Sequence, residues 1–127
     1  MKLIIPMEPP SGNHYKSFRV IGKHASWYLT PAAKAWHQAV AVFGRGQVVA
    51  GSAHHVTYTV YQGAGSRGDV DNYAKVILDG LVRAGVLKSD ASVVSLHCYK
   101  RRDRENPRTE IEVTCTTIAA LTERLGE

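Results

Sequence analysis

Residues Ala53–Gln62 alternate strictly, with Val56, Tyr58 and Val60 on one side and His55, Thr57, Thr59 and Tyr61 on the other. A period of two predicts a strand with one buried face. Lys2–Pro6 reads as a short opening strand. Ser92–Lys100 places Val94, Leu96 and Cys98 on one face, and Thr109–Thr117 does the same with Ile111, Val113 and Cys115. The eight residues Arg101–Arg108 between them have turn chemistry and four arginines, which predicts a hairpin with a basic tip. Both cysteines then read as buried small hydrophobes.

Two stretches carry helical periodicity instead. Thr30 can cap a helix, Pro31 suits its first turn, and Gly44 can end it in a left-handed conformation. Between them Ala32, Trp36, Ala39, Val40 and Phe43 make one apolar stripe, which places Trp36 in the core and His37 on the exposed side. Asp71–Ala84 predicts a second helix, with Ala74, Ile77, Leu78 and Leu81 inward and Asn72, Lys75, Asp79 and Arg83 in a polar stripe. Ile118–Leu125 reads as a short final helix. Pro9–Lys16, running into Ser17-Phe18-Arg19, reads as an exposed loop, either a solvated connector or a site of phosphate and sugar contacts. The expected architecture is a two-layer α/β domain spanning 1–127. Its mixed β-sheet has about four strands, with two main helices on one face.

Composition adds limits. A chain of 127 residues, 44% hydrophobic, supports one core. No apolar run approaches the roughly 20 residues that span a bilayer, and Met1–Pro6 is too short for a secretory apolar region. Two cysteines lack disulfide-scaffold or metal spacing, so a reduced, cytoplasmic protein is expected, without membrane association. The net charge of +5 is unevenly spread. Residues 1–68 hold one acid, Glu8, against seven bases, whereas acids become dense from Asp69 onward. That balance points to a polyanionic partner.

Two apparent motifs fail on physical grounds. Gly63–Gly68 matches a dinucleotide-binding G-x-G-x-x-G, with Asp90 at a suitable distance. However, Asp69 and Asp71 place negative charge where a pyrophosphate needs a bare helix N-terminus, and the preceding strand is not apolar on both faces. No nucleotide cofactor is expected, and the glycines read as a flexible loop that lets substrate approach the backbone. His54-His55 cannot chelate one ion, because neighbouring strand residues point to opposite faces.

The acidic stretch Asp69-Val70-Asp71-Asn72 opens the second helix. Two carboxylates repel unless a cation lies between them, and i, i+2 spacing in extended chain puts both on one side. Lys75 lies one turn on, and Asp90 precedes the next strand. Three carboxylates and a lysine describe a site for metal-assisted phosphodiester hydrolysis. The same residues also describe a capped helix with an Asp71–Lys75 pair and an ordinary loop aspartate. Spacing does not choose between them, and the basic surroundings favour the cation.

These residues resemble the RusA-type Holliday junction resolvases. The stretch Asp69-Val70-Asp71-Asn72-Tyr73-Ala74-Lys75, continuing to Asp90-Ala91-Ser92-Val93, fits D-x-D-N-x-x-K followed by D-A-x-V. Pro9-Pro10-Ser11-Gly12-Asn13 is similar to the family's N-terminal loop. The resemblance implies a homodimeric endonuclease that nicks four-way DNA junctions symmetrically in recombination and repair. It implies dependence on Mg²⁺, with Mn²⁺ able to substitute, and a setting in the nucleoid of a bacterial or phage-infected cell. Asp69, Asp71 and Asp90 would be metal ligands and Lys75 the catalytic lysine. Asn72 would support the site, and Asn13, Tyr15, Lys16 and Arg67 would hold DNA. Family members often carry an acid where this chain has Ser89, and more arginine before Asp69; here Arg101, Arg102, Arg104 and Arg108 are the candidates to grip DNA instead. Rival readings are a non-catalytic DNA-binding module and a metal-dependent nucleotide phosphohydrolase.

Overall fold

A computed structural model describes residues 1–116. The alternating strand β4 (Ala53–Gln62) lies inside a four-stranded sheet of order β1-β6-β4-β5, where β1 is Lys2–Ile5, β5 Val93–Arg102 and β6 Arg108–Thr116. β4 runs parallel to β5 and antiparallel to β6, and β6 runs antiparallel to β1. Across one face the register aligns Leu3, Ile111 and Tyr58, then Ile5, Thr109 and Val60, all buried. Helices α1 (Pro31–Phe43) and α2 (Ala74–Arg83) supply Trp36, Val40, Ile77 and Leu81 to the same core. The other face carries Lys2, Thr57, Thr59, Glu110 and Glu112 around a shallow polar groove. The two-layer mixed α/β architecture therefore follows from the alternation of β4.

Local chemistry accounts for most boundaries. Thr30 Oγ1 accepts from the Ala33 amide at 3.2 Å, and Pro31 opens α1. The inward stripe of α1 is Ala33, Trp36 and Val40; Ala32 and Phe43 face solvent. Gly44 ends α1 at φ −90°, not left-handed; what asks for glycine is the close approach, since a Cβ there would stand 2.8 Å from the Val40 carbonyl oxygen. The expected second helix begins as a 3-10 turn, Val70–Tyr73, before α2, and Val76 joins its buried side. His54 and His55 take separate partners, Ser92 and Val49 for one and Ser95 and Thr116 for the other.

Three expectations are corrected. β5 and β6 do not form a hairpin, since β4 lies between them. Turn chemistry shows that a chain reverses, not which strand it returns beside, and the Asp103 amide bonding Gln62 O at 2.9 Å carries the connection across the end of β4. Val94 and Leu96 are exposed, because the register shifts opposite His54/His55 and β5 is an edge strand. Cys98 is half-buried and Cys115 exposed, so neither is a fully buried small hydrophobe. A further element went unforeseen. The presumed loop after the 3-10 turn Gly12–His14 is a hairpin of β2 (Lys16–Ile21) and β3 (His24–Leu29), forming its own two-stranded sheet. Its turn uses Gly22 at φ +59°, where glycine carries no Cβ strain. The helix expected over Ile118–Leu125 lies outside the described residues.

Gly80 of α2 packs closely against Trp36 of α1, whose Nε1 donates to Val76 O at 3.2 Å. A Cβ at Gly80 would lie 2.9 Å from that Nε1 and 3.3 Å from Val40 Cγ2. Helix propensity favours Gly80→Ala by about 1 kcal/mol, but overpacking in a rigid core costs about 1–3 kcal/mol. Urea denaturation is expected to show Gly80→Ala as net destabilising; a gain in stability would mean that the two helices separate freely.

Candidate active site

The turn bearing the acidic pair is placed by polar side chains of β4. Tyr58 is fully buried, and its hydroxyl donates to Val70 O. Gln62 Nε2, also buried, donates to Gly68 O at 2.8 Å and to the Tyr73 hydroxyl at 2.9 Å. Lys100 Nζ reaches Gly68 O at 3.3 Å. A side chain at Gly68 would collide with the Tyr73 ring, so only glycine lets the chain pass here. The segment Gly68–Tyr73 is thus fastened over the sheet, while Asp69 and Asp71 themselves remain exposed.

The preceding loop, Gly63–Arg67, is pinned rather than free. Glu8 accepts from the Gly63 amide at 3.2 Å and from Ser66 Oγ at 2.6 Å. Arg102 Nη1 donates to Gly63 O at 2.6 Å and Ser66 O at 3.2 Å. The sole acid of the basic N-terminal half therefore holds a loop of the site, a role that its isolation in sequence could have suggested. Arg102 is committed to that brace. Arg108 pairs with Asp103 at 2.8 Å and Glu110 at 2.9 Å and lies 3.7 Å from the centre of the Tyr61 ring. Of the four arginines, Arg101 and Arg104 point their charge to solvent.

Two groupings result. A cavity of about 390 Å³ gathers Asn13, Arg67, Asp69 and Asn72, with Ser11 and His14 on its rim. Asn72 packs against Gly12, where a Cβ would approach its Oδ1 to 2.6 Å. The second grouping centres on Lys75, whose Nζ lies 3.0 Å from Asp79 Oδ1 and 3.9 Å from Asp90 Oδ2. Asp71 stands on the turn between them, one helical turn before Lys75. Among the described residues, no three acidic, histidine or cysteine side chains converge as a ready metal cage.

The helix-cap reading of the aspartates loses its supports. Asp69 heads the 3-10 turn in extended conformation but makes no side-chain capping bond. Asp71 lies inside that turn, so the extended i, i+2 geometry does not hold either. Lys75 pairs with Asp79 instead of Asp71. Before Asp90, Ser89 Oγ accepts from the Ala91 amide at 3.1 Å, so the serine caps and the aspartate does not.

Asp79 was not singled out from sequence, although its i+4 spacing from Lys75 was the available signal. Tyr15, expected among DNA contacts, is only 4% exposed and serves Asp79. Its hydroxyl donates to Asp79 Oδ2 at 2.8 Å and lies 3.0 Å from His37 Nε2. One hydroxyl has one proton, so His37 Nε2 must donate and its buried Nδ1 is left without a partner among the described residues. His37 is therefore part of the site's support, not a surface residue. Burial, with the Asp79 bond and charge, pushes the Tyr15 phenol up to about 12. Burial, aided by the Arg83 charge, pushes the His37 imidazole down. The hydrogen bond to Asp79 raises the Lys75 ammonium, which stays charged.

The model of the endodeoxyribonuclease RusA family matches residues 6–114, most of the chain and all of the elements just described except β1 and the last residues of β6. No curated protein matches the chain.

Partial burial opposes ionisation of Asp79, but hydrogen bonds from Lys75 and Tyr15 leave its carboxyl below the ordinary range. The folded state thus gives up this proton at lower pH than the unfolded chain does. Stability from this group is complete above the unfolded pKa and is lost as pH falls through the folded one. Asp79→Asn is expected to lower stability at neutral pH and to flatten the loss below about pH 4. Urea midpoints of both proteins at neutral and acidic pH check this; parallel acid limbs would mean that Asp79 is not the titrating group.

Proposed function

The chain belongs to the RusA endodeoxyribonuclease family, and on that premise we propose that it is a single-domain, divalent-metal-dependent endonuclease that resolves four-way DNA junctions. The observation that carries this reading is the state of the three carboxylates. Asp69, Asp71 and Asp90 are exposed, none caps its turn, and Lys75 stands 3.9 Å from Asp90 and one helical turn past Asp71. Carboxylate oxygens are the donors that a hard cation such as Mg²⁺ takes, with Mn²⁺ able to replace it, so the donor set fits the metal that the family implies. Asp69, Asp71 and Asp90 would hold that ion, which supplies stabilisation of charge on the attacking and leaving oxygens of the phosphodiester.

The chain's own residues do the remainder. Lys75 places a positive charge against the phosphate as negative charge builds on it, and Asp79 fixes where that ammonium stands. Asn13, Asn72 and Arg67, around the cavity beside Asp69, present donors to the phosphate backbone. Exposed Arg101 and Arg104, with Lys16, extend the attraction to a polyanion without sequence preference. One site cuts one strand, so paired symmetric nicks call for a two-fold homodimer, which presents two sites to two-fold-related strands.

The test is incubation with labelled four-way junctions, linear duplex and deoxynucleoside triphosphates, with and without Mg²⁺. Paired nicks in the junction alone, lost on chelation, are expected. Junction binding without cleavage would support a binding module instead, and nucleotide hydrolysis a phosphohydrolase. Asp71→Asn is expected to slow nicking by about a hundredfold or more while junction affinity is kept or improved, since one ligand and one repulsive charge go. Lys75→Ala is expected to lower kcat far more than it changes KM; an effect on KM alone would make it only a phosphate contact.

A further inference from the structure

The β2–β3 hairpin exposes more large apolar side chain than a solvated connector has use for. Trp27 is 68% exposed and Phe18 52%, and the two pair across the strands with ring centroids 5.2 Å apart. Val20 continues the same face, and on the opposite face Arg19 lies 4.8 Å from the Tyr28 ring centre. An apolar patch of this kind on a basic element marks a binding surface.

We propose that this face, with Trp27 and Phe18 at its centre, is a stacking platform for nucleobases that are unstacked or unpaired at the branch of the DNA substrate. Position supports this. Trp27 lines a cavity with Gly12, Asn13 and Lys16, and Asn13 also lines the cavity that holds Asp69 and Asn72. One surface thus leads from the candidate metal ligands through Asn13 to the aromatic pair. Charge selects the occupant. Lys16, Arg19 and Lys23 are the charged residues of the hairpin, and no acid occurs between Pro9 and Gly68. Between two copies of this hairpin every acidic or basic charge would be positive, with no acid to offset it, whereas a nucleic acid neutralises it. Intact duplex hides its base faces, but a branch point or single-stranded end offers them, and aromatic stacking holds any base. The hairpin would therefore add a preference for branched over linear DNA to the phosphate grip. The inference rests on the nuclease reading.

Tryptophan fluorescence tests it without cleavage, in the presence of a chelator. Trp36 is fully buried, so a change on adding DNA reports Trp27. The expected result is strong quenching by a four-way junction and little by linear duplex of equal length. Trp27→Ala should weaken junction binding by about tenfold or more and duplex binding by less than about twofold, while Trp27→Phe, which keeps a stacking ring, restores most of it. Circular dichroism confirms that both variants fold. If the wild-type protein binds junctions and Trp27→Ala binds them equally well, the platform is wrong and the nuclease reading stands. Dissociation of a wild-type dimer by Trp27→Ala in sedimentation, with junction affinity per monomer unchanged, would assign the face to a second copy. Failure of the wild-type protein to bind branched DNA at all would overturn both readings.

Discussion

Two polar side chains on the covered face of β4, those of Tyr58 and Gln62, constrain the rest of the molecule. Each is buried, and a buried donor without a partner costs about 1–3 kcal/mol. The partners within reach are backbone oxygens of the segment that follows the strand, Gly68 O and Val70 O, together with the Tyr73 hydroxyl. Packing of the core therefore obliges the acidic turn to lie over the sheet. The aspartates are placed by the hydrogen-bonding needs of their neighbours, and their own oxygens stay available. A turn assembled in this way keeps its carboxylates uncommitted while the backbone beneath them is fixed.

The same division of labour shows in the charges. Most ionised groups around the site answer to one another: Glu8 to the loop amide, Arg102 to loop carbonyls, Arg108 to Asp103 and Glu110, Asp79 to Lys75 and Tyr15. These interactions shape the walls. The side chains left facing solvent, Asp69, Asp71, Lys16, Arg101 and Arg104, are those that can respond to a ligand. The uneven charge of the chain thus resolves into pairs that build structure and single charges that wait for a partner.

Legibility from sequence followed the range of the interactions. The alternation of β4, the Thr30 cap with Pro31, and the separation of His54 from His55 are local, and all are found as read. The D-x-D-N-x-x-K stretch was legible as a candidate site through its basic surroundings and its family resemblance, since its spacing alone also described a capped helix. The neighbour of β5 was not legible, since hydrogen-bond pairing across a sheet leaves no trace in spacing. The β2–β3 hairpin was hidden by prolines and polar residues just before it, and Val20, Ile21 and Trp27 face solvent where a core-based reading does not look for strands. Asp79 and Tyr15 meet only because the N-terminal loop folds onto α2, 64 positions away. That contact could not be seen in either segment alone.

The sheet order has a consequence for how the protein comes into being on the ribosome. β1, the first of the described strands, finds its only neighbour among them in β6, the last. Glu8 leaves the end of β1 to clasp the loop Gly63–Ser66, so that wall of the cavity can be fastened only after β1 has docked. A nascent chain that already contains every aspartate of the site therefore still lacks the frame that sets them. Docking of β1 on β6 and framing of the acidic turn thus become one late event, separated from the making of the aspartates by the length of chain that lies between Asp90 and β6.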